Sequence, residues 1–533
     1  MKKILLMLVA LVATVTLSAK DGEEMEGWQK SFTPVANADD LAGIHTAVAG
    51  DGSVYASTTY NQAFTVGNIT VADPDGLTSS CIVKFDNEGN SLWAVTLYGK
   101  CKIYAMTADA DGTLYVAGKA EDAKVVCTGT DGKKTEIENP TGLDAFFEEV
   151  VKANVGFVAK ITKDGLFDAV KIITPQLNAT IGAIVGDPYE MGMDFVIYDI
   201  SGNDPMFVTP SKIMLDGDKV YVAVSYTGDI PELGWSGAYL NYYGMDAMIF
   251  DITSKGVFSL SKSDLLGNAA SVATVTPVET IQSFSQYAPE SIDFVAYQGV
   301  PHVAFFGWGD LKLTTPAGSK DFSFALGEED VEHALVLANV EAPTNAKVFN
   351  AAKNASLSAK YDLVGATISN SNCIIGGTFY GNFPLDNSIT KDVNTTFVAS
   401  IKMSDCSVNW TTVSPVEAEA SCMVVAGEEI KASTNAATYT IKTATGEVDT
   451  EQTMAQSFDD ADCYNNQYVS TIFTQETSVV VFSPKLKPSG INEAQAQKNG
   501  AVKYYNLNGI ELTAPQNGLN IVKTADGTRK VLK

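Results

Sequence analysis

A short β-forming run recurs along this chain, and no single copy is large enough to bury both faces of a sheet. It reads Asp51-Gly52-Ser53-Val54-Tyr55-Ala56-Ser57 at first, then Leu114-Tyr115-Val116-Ala117-Gly118, then Asp218-Lys219-Val220-Tyr221-Val222-Ala223-Val224. Looser copies at 301–307, 372–377, 429–433 and 466–470 bring the number to seven. β-Branched and aromatic residues next to turn formers are strand signals. A unit repeated in this way needs neighbours of its own kind to complete its core. We read the repeated run as the inner strand of each unit.

A hairpin follows most copies, over residues 81–95, 157–171, 247–260, 334–349, 397–410 and 439–448. In the second unit Phe157 to Ile161 and Phe167 to Lys171 flank Lys163-Asp164-Gly165, a turn whose glycine supplies the positive φ a tight hairpin needs. The seventh unit stops after residues 479–484 without a last strand. Gly27-Trp28-Gln29-Lys30-Ser31-Phe32 has the look of the closing strands around Trp93 and Trp410, so it is expected to complete the seventh sheet. Closure of that kind protects the free edges of an open array. The expected fold is therefore all-β: a seven-bladed β-propeller over residues 24–485, followed by a small C-terminal β-module. Six or eight blades are the alternative numbers, and a string of β-sandwich domains is the alternative architecture.

Uneven spacing places insertions on the ring. Residues 128–154 contain a short amphipathic pattern over 143–152, read as a helix, and residues 184–210 precede the third unit. At 533 residues, with 45% hydrophobic and 19% charged side chains, the chain exceeds one ordinary core unless repetition builds it.

Met1-Lys2-Lys3, an apolar stretch over 4–17 and the small pair Ser18-Ala19 have the order of a secretory signal peptide, so residues 1–19 are expected to be removed on export. The apolar stretch falls short of the roughly 20 residues a bilayer requires, and no later segment is long and apolar enough to span one. The expected location is extracellular or at the cell surface, with the periplasm as the alternative. A net charge of −27 excludes nucleic acid as a partner, because such binding rests on basic contacts to phosphate. Seven widely spaced cysteines form neither a dense disulfide framework nor a CxxC metal motif. Most are read as small buried hydrophobes, with a pairing of Cys406 to Cys373 or Cys422 as the alternative.

The second unit, through Leu114 to Gly118 and Phe157 to Lys160, resembles the repeats of secreted bacterial β-propellers, in which a Val-Tyr-Val-Thr-Gly strand precedes a Phe-Val-Ala-Lys hairpin. The resemblance weakens after the third unit and implies a fold more than an activity. After a Pro/Gly/Ser-rich linker over 486–500, Tyr504-Tyr505-Asn506-Leu507-Asn508-Gly509, Asn517 to Lys523 and Lys530-Val531-Leu532-Lys533 resemble the C-terminal sorting domain of the bacterial type IX secretion system. That likeness covers residues 501–533 and implies secretion machinery as a partner. The tail departs from the family in lacking its upstream Pro-Asn-Pro segment and in placing Asn520 where an aromatic is usual.

No Ser/His/Asp signature, phosphate loop or HExxH helix is present, so no catalytic residue is assigned. His45, His302 and His333 each lie in or beside a predicted strand and are read as buried and hydrogen-bonded. Asp-Gly turns, with Asp109 and Asp111 as the best pair, offer oxygen ligands for calcium. The same turns also serve tight hairpins, and no cofactor or metal is assigned. The remaining candidates are aromatic: Trp235, Tyr239, Tyr242, Tyr243 and Trp308, whose rings suit stacking on a sugar or packing between blades. The expected function is non-catalytic binding of a glycan or protein. The alternatives are a polysaccharide hydrolase or lyase, and a structural surface protein.

Overall fold

The computed structural model describes residues 27–139, 153–176, 206–237, 241–243, 249–251, 253–278, 288–324, 331–354, 360–454, 457–464, 467–474, 478–484, 503–505, 511–512, 519–524 and 527–532. The segments expected to be a signal peptide (1–19), a helix (143–152) and a linker (486–500) lie outside the described residues. Contacts divide the chain into two units, Met1–Pro484 and Lys485–Lys533.

In the first unit the antiparallel pairings contain seven successive four-strand runs, sheets one to seven; added hairpins widen the first and third, and a short parallel pairing of Ala153 with Met206 and Asn154 with Phe207 joins the second to the third. Their innermost strands are His45–Val48, Cys101–Ala108, Met206–Asp216, Ala288–Tyr297, Asp362–Ser369, Ala420–Ala426 and Asp460–Tyr464. Neighbouring inner strands pack side by side except the third and fourth, where Ala288–Tyr297 packs against the second to fourth strands of the third sheet, and the last returns to the first. Lys212 links the third sheet to the fourth through bonds to Asp293 and Phe294. A closed ring of radial sheets around inner strands is a β-propeller. The expected closing strand is found: Gly27–Phe32 runs antiparallel to Ser478–Pro484, with Trp28 opposite Ser483 and Gln29 opposite Phe482.

The cores cross the boundaries between sheets, as the repeat demanded. Ala47, Tyr55, Ile82 and Val95 of the first sheet pack with Ile103, Leu114, Val116 and Phe157 of the second. Val469, Val479 and Val481 of the seventh pack with Val54, Ala56 and Phe85 of the first.

Two readings need correction. The repeated run forms the second strand of each sheet, as in Val54–Tyr60, where all seven residues are buried. A strand covered on both faces reads as a continuous β-forming run, whereas innermost strands such as Asp362–Ser369 and Asp460–Tyr464 are buried less completely and show a weaker pattern. In the third sheet, Ile249–Asp251 pairs with Asn241–Tyr243 in an insertion, and Ser254–Ser261 is the third strand. All seven cysteines are free thiols, five of them buried.

The second unit, described by itself, is one sheet of Lys503–Tyr505, Glu511–Leu512, Leu519–Thr524 and Gly527–Leu532. Its last two strands form the expected hairpin, with Leu519 opposite Leu532.

Candidate functional site

In an antiparallel four-stranded sheet, the link from second to third strand and the link to the next sheet leave at the same end. One face of the ring therefore collects both kinds of connection. Sheets one to five each enlarge the first kind. Added hairpins are Phe64–Val66 with Ile69–Val71, Lys124–Thr128 with Lys134–Glu138, Asn241–Tyr243 with Ile249–Asp251, and Asp310–Thr315 with Gly318–Ser323. In the fifth sheet the strands Asn372–Phe383 and Asp386–Lys402 themselves run on beyond it. Two of the hairpins extend the outer edge of the preceding sheet, through Val126 opposite Tyr98 and Thr274 opposite Thr314. Loops enlarged on one face of a rigid scaffold are where binding residues concentrate.

The inner strands begin on this face and, apart from Met206 and Phe207 of the third, which pair with Ala153 and Asn154, have one described edge outside their own sheet, so the N–H groups there need acceptors. Carboxylates of the preceding sheet supply them. Asp460 and Asp462, two apart and so on one side of their strand, accept from the N–H groups of Thr46 (2.7 Å) and Val48 (2.8 Å). Between sheets four and five, Ser291 accepts from Leu363 (3.1 Å) and Asp293 from Ala366. Burial pushes Asp462 up to about 6, the nearby Asp460 adds to the rise, and the N–H groups of Val48 and Cys463 oppose it. Burial also raises Asp293, against the pull of the Lys212 ammonium, which reaches Asp293, the Phe294 carbonyl (3.1 Å) and the Ala366 carbonyl (2.7 Å). These acids join sheet to sheet.

A second polar group lies at the mouth itself. Lys360 Nζ meets Glu419 Oε2 at 2.7 Å, and Asn394 Nδ2 donates to the other oxygen at 3.0 Å. The Lys360 bond holds Glu419 below its ordinary range. Asp362, the first residue of the fifth inner strand, is raised by burial and by the Glu419 charge, while Lys360, the Leu363 N–H and Lys255 oppose the rise. Around one ammonium, then, one carboxyl is pushed up and another held down. His45 Nδ1 stands 3.7 Å from Asp460 on the neighbouring sheets.

An aromatic row leads to this group. Half-buried Trp308, opposite Ala288 at the start of the fourth inner strand, lies 6.2 Å from the His333 ring. His333 stacks on Tyr361 at 4.1 Å and 11°, and Tyr361 is the chain neighbour of Lys360 and Asp362.

The aromatic candidates separate. Trp235 is only 4% exposed, between Tyr226 and Phe258, with Nε1 donating to Ser271 Oγ at 2.7 Å, so it packs a sheet instead of facing a ligand. Tyr242 and Tyr243 sit on an insertion strand of the enlarged face, and Tyr239 lies outside the described residues. Asp109 is ion-paired with Lys262, and Asp111 caps the Thr113 N–H at 3.0 Å, so both acids of the calcium candidate have structural work. His302 and His333 are buried, while His45 is a quarter exposed at the mouth. Lys360, Asp362, Glu419 and Asn394 carried no local signal, because strand register and loop length bring them together.

No family model and no curated protein matches this sequence. Among solved structures the chain is similar to quinohemoprotein alcohol dehydrogenase from Comamonas testosteroni, at 10% identity over 86% of this chain and 76% of that one, with a TM-score of 0.39. It is also similar to BamB from Moraxella catarrhalis (9%, 86% and 99%, TM-score 0.35) and to the β-propeller domain of Cps50 (Swd1) from Myceliophteria thermophila (9%, 86% and 100%, TM-score 0.38). At such values these neighbours say nothing about activity. The strand pairing itself defines the protein as a β-propeller with a small C-terminal β-module.

Proposed function

We propose that this protein is an exported, non-catalytic propeller that binds a glycan at its channel mouth on the enlarged face. The observation that carries the reading is partly exposed Trp308 on the face that also holds the Lys360–Glu419–Asn394 network, with His333 and Tyr361, each 3% exposed, packed between them. A partly exposed indole gives a sugar ring an apolar face, and amide, ammonium and carboxylate groups fix its hydroxyls. The inner acids Asp293, Asp460 and Asp462 already accept backbone N–H groups that join the sheets, which supports a binding platform. Export is proposed from residues 1–19, and passage through secretion machinery from the tail at 501–533. The test is glycan-array binding by the full chain and by Trp308→Ala. Loss of a bound glycan by the variant supports the reading, while an array without hits, or equal binding by both proteins, overturns it. Binding to a protein partner alone would replace the glycan.

A second reading, hydrolase or lyase, is favoured by the opposed shifts of Asp362 and Glu419, since acid–base catalysis needs one carboxyl protonated and one ionised. Breakdown of a bound polysaccharide by the wild type, abolished in Asp362→Asn and Glu419→Gln, would establish it. Intact polysaccharide after prolonged incubation would dismiss it.

A further inference from the structure

The other face of the ring carries the turns from first to second strand and from third to fourth. Between the fifth and sixth sheets these turns surround a cavity of about 490 Å³, within the range of small-molecule sites, about 300–1,000 Å³. Ser369 and Asn372 close the first turn of the fifth sheet as an opposed pair, and the two residues between them, Asn370 and Ser371, take positive φ of 48° and 64°. A two-residue turn of this kind fixes its flanks, and it sets Asn370 and Asn372 in the cavity wall. Asn409 and Trp410 reach the same wall from the fourth strand of that sheet, and Thr443 and Ala444 from the turn after the third strand of the sixth.

These side chains are arranged in advance of any ligand. Asn409 Nδ2 donates to Asn372 Oδ1 (3.0 Å) and to Ser400 Oγ (3.1 Å), which uses both of its hydrogens. Asn372 Nδ2 is left to donate and Asn409 Oδ1 to accept, and among the described residues neither atom has a protein partner. A donor and an acceptor side by side match two adjacent hydroxyls, each of which gives one hydrogen and takes another. The Trp410 indole donates to the Thr443 carbonyl (3.1 Å) and lies across Gly446, so its polar tip is spent, its ring is fixed, and what it adds to the cavity is apolar surface.

Charge narrows the ligand further. Lys402 is the one charged residue in the lining, and it is exposed, with Nζ 3.6 Å from Asp405. An anion finds no spare cation there, and a metal ion finds no carboxylate in the wall. A wholly apolar ligand would leave the amides unpaired. We propose that this cavity binds a neutral sugar, stacked on Trp410 and held by Asn370, Asn372 and Asn409. It lies on the opposite face from the channel mouth and shares no residue with it, so it does not depend on the mouth being a glycan site.

The test takes the uncharged members of a glycan array, with every hit followed by calorimetric titration of the full chain and of Trp308→Ala, Asn409→Ala and Ala444→Trp. Asn409→Ala removes the acceptor and releases Asn372, while Ala444→Trp fills the cavity from an exposed turn position. At least one neutral glycan is expected to bind the wild type and Trp308→Ala equally, to bind Asn409→Ala about tenfold more weakly, and not to bind Ala444→Trp. Both cavity variants should melt with the wild type, because Asn409 and Ala444 are exposed. No neutral hit, or hits that both cavity variants keep, would overturn the site. Hits kept by both and lost only in Trp308→Ala would overturn it while supporting the mouth. Weaker binding confined to Asn409→Ala and accompanied by a lower midpoint would show a merely structural amide and overturn it as well. Loss in the two cavity variants with Trp308→Ala unchanged leaves this site standing even where the mouth reading fails.

Discussion

Trp28 lies across the bare α-carbon of Gly89: a Cβ built there would stand 2.6 Å from Trp28 Cδ2, and Nε1 of the same indole donates to the Asn87 carbonyl at 3.2 Å. Trp28 belongs to the closing strand of the seventh sheet and Gly89 to the third hairpin turn of the first, so this contact clasps the ring where it closes. The device recurs. Trp93 of the first sheet covers Gly165 and donates to the Lys163 carbonyl (3.0 Å), and Trp410 of the fifth covers Gly446 and donates to the Thr443 carbonyl (3.1 Å).

Gly89 is therefore required twice, for its positive φ of 80° and for the ring above it. Gly132 separates the two demands, with φ 75° and no atom within 4 Å of an added Cβ. Gly132→Ala is expected to cost about 1 kcal/mol, the conformational penalty alone. Gly89→Ala should cost about 2–4 kcal/mol, because overpacking adds to it. Denaturant titration checks the difference, and equal losses would mean that the indole simply moves aside.

The three tryptophans explain why the closure was legible in the sequence. Trp28, Trp93 and Trp410 do the same local job, so the strands that carry them look alike, although Trp28 joins its sheet from the far end of the chain. The second strands were legible because both of their faces are buried. The innermost strands were not: His45–Val48 is four residues long, and Asp460-Ala461-Asp462 has the composition of a turn until its acids are seen holding Thr46 and Val48. Partners in added hairpins, such as Val126 and Tyr98, are set by tertiary register that no local pattern records.

Trp235 and Trp308 should respond differently to truncation. Trp235→Ala removes a 4% exposed indole from between Tyr226 and Phe258, and large-to-small changes of that kind cost about 3–5 kcal/mol. Trp308 is half-buried, and Trp308→Ala should cost about 1–2 kcal/mol. Thermal melts of the two variants beside the wild type check the order. A Trp308 variant that melts lower than the Trp235 variant would place Trp308 among the packing residues.

Asp462 makes part of the ring closure sensitive to pH. Its carboxyl is at about 6 in the folded chain against 3.8 for the free side chain. A folded value above the unfolded one means that the folded state holds the proton more tightly. The stabilisation is therefore complete below about pH 4 and is lost as pH rises through about 6, by on the order of 2–3 kcal/mol. Asp462→Asn keeps a carbonyl oxygen for the Val48 N–H and cannot ionise. Relative to this variant, the wild type should lose stability between pH 4 and pH 7. Parallel stability curves for the two proteins would contradict the assignment.

Lys212 and Asp293 join three sheets, and the cost of separating them is asymmetric. Asp293→Ala leaves the Lys212 ammonium with only the carbonyls of Phe294 and Ala366, and also strips the Ala366 N–H of its acceptor. Removing one partner of a buried ion pair costs about 3–5 kcal/mol. Adding Lys212→Met should recover much of that loss, because no uncompensated charge then remains. Recovery should stop short of the wild type by the value of an unmade buried hydrogen bond, about 1–3 kcal/mol. Urea titration of the single and double variants measures both steps. A double variant no more stable than Asp293→Ala would show that the acid acts through Ala366 alone, and that the ammonium contributes nothing to the ring.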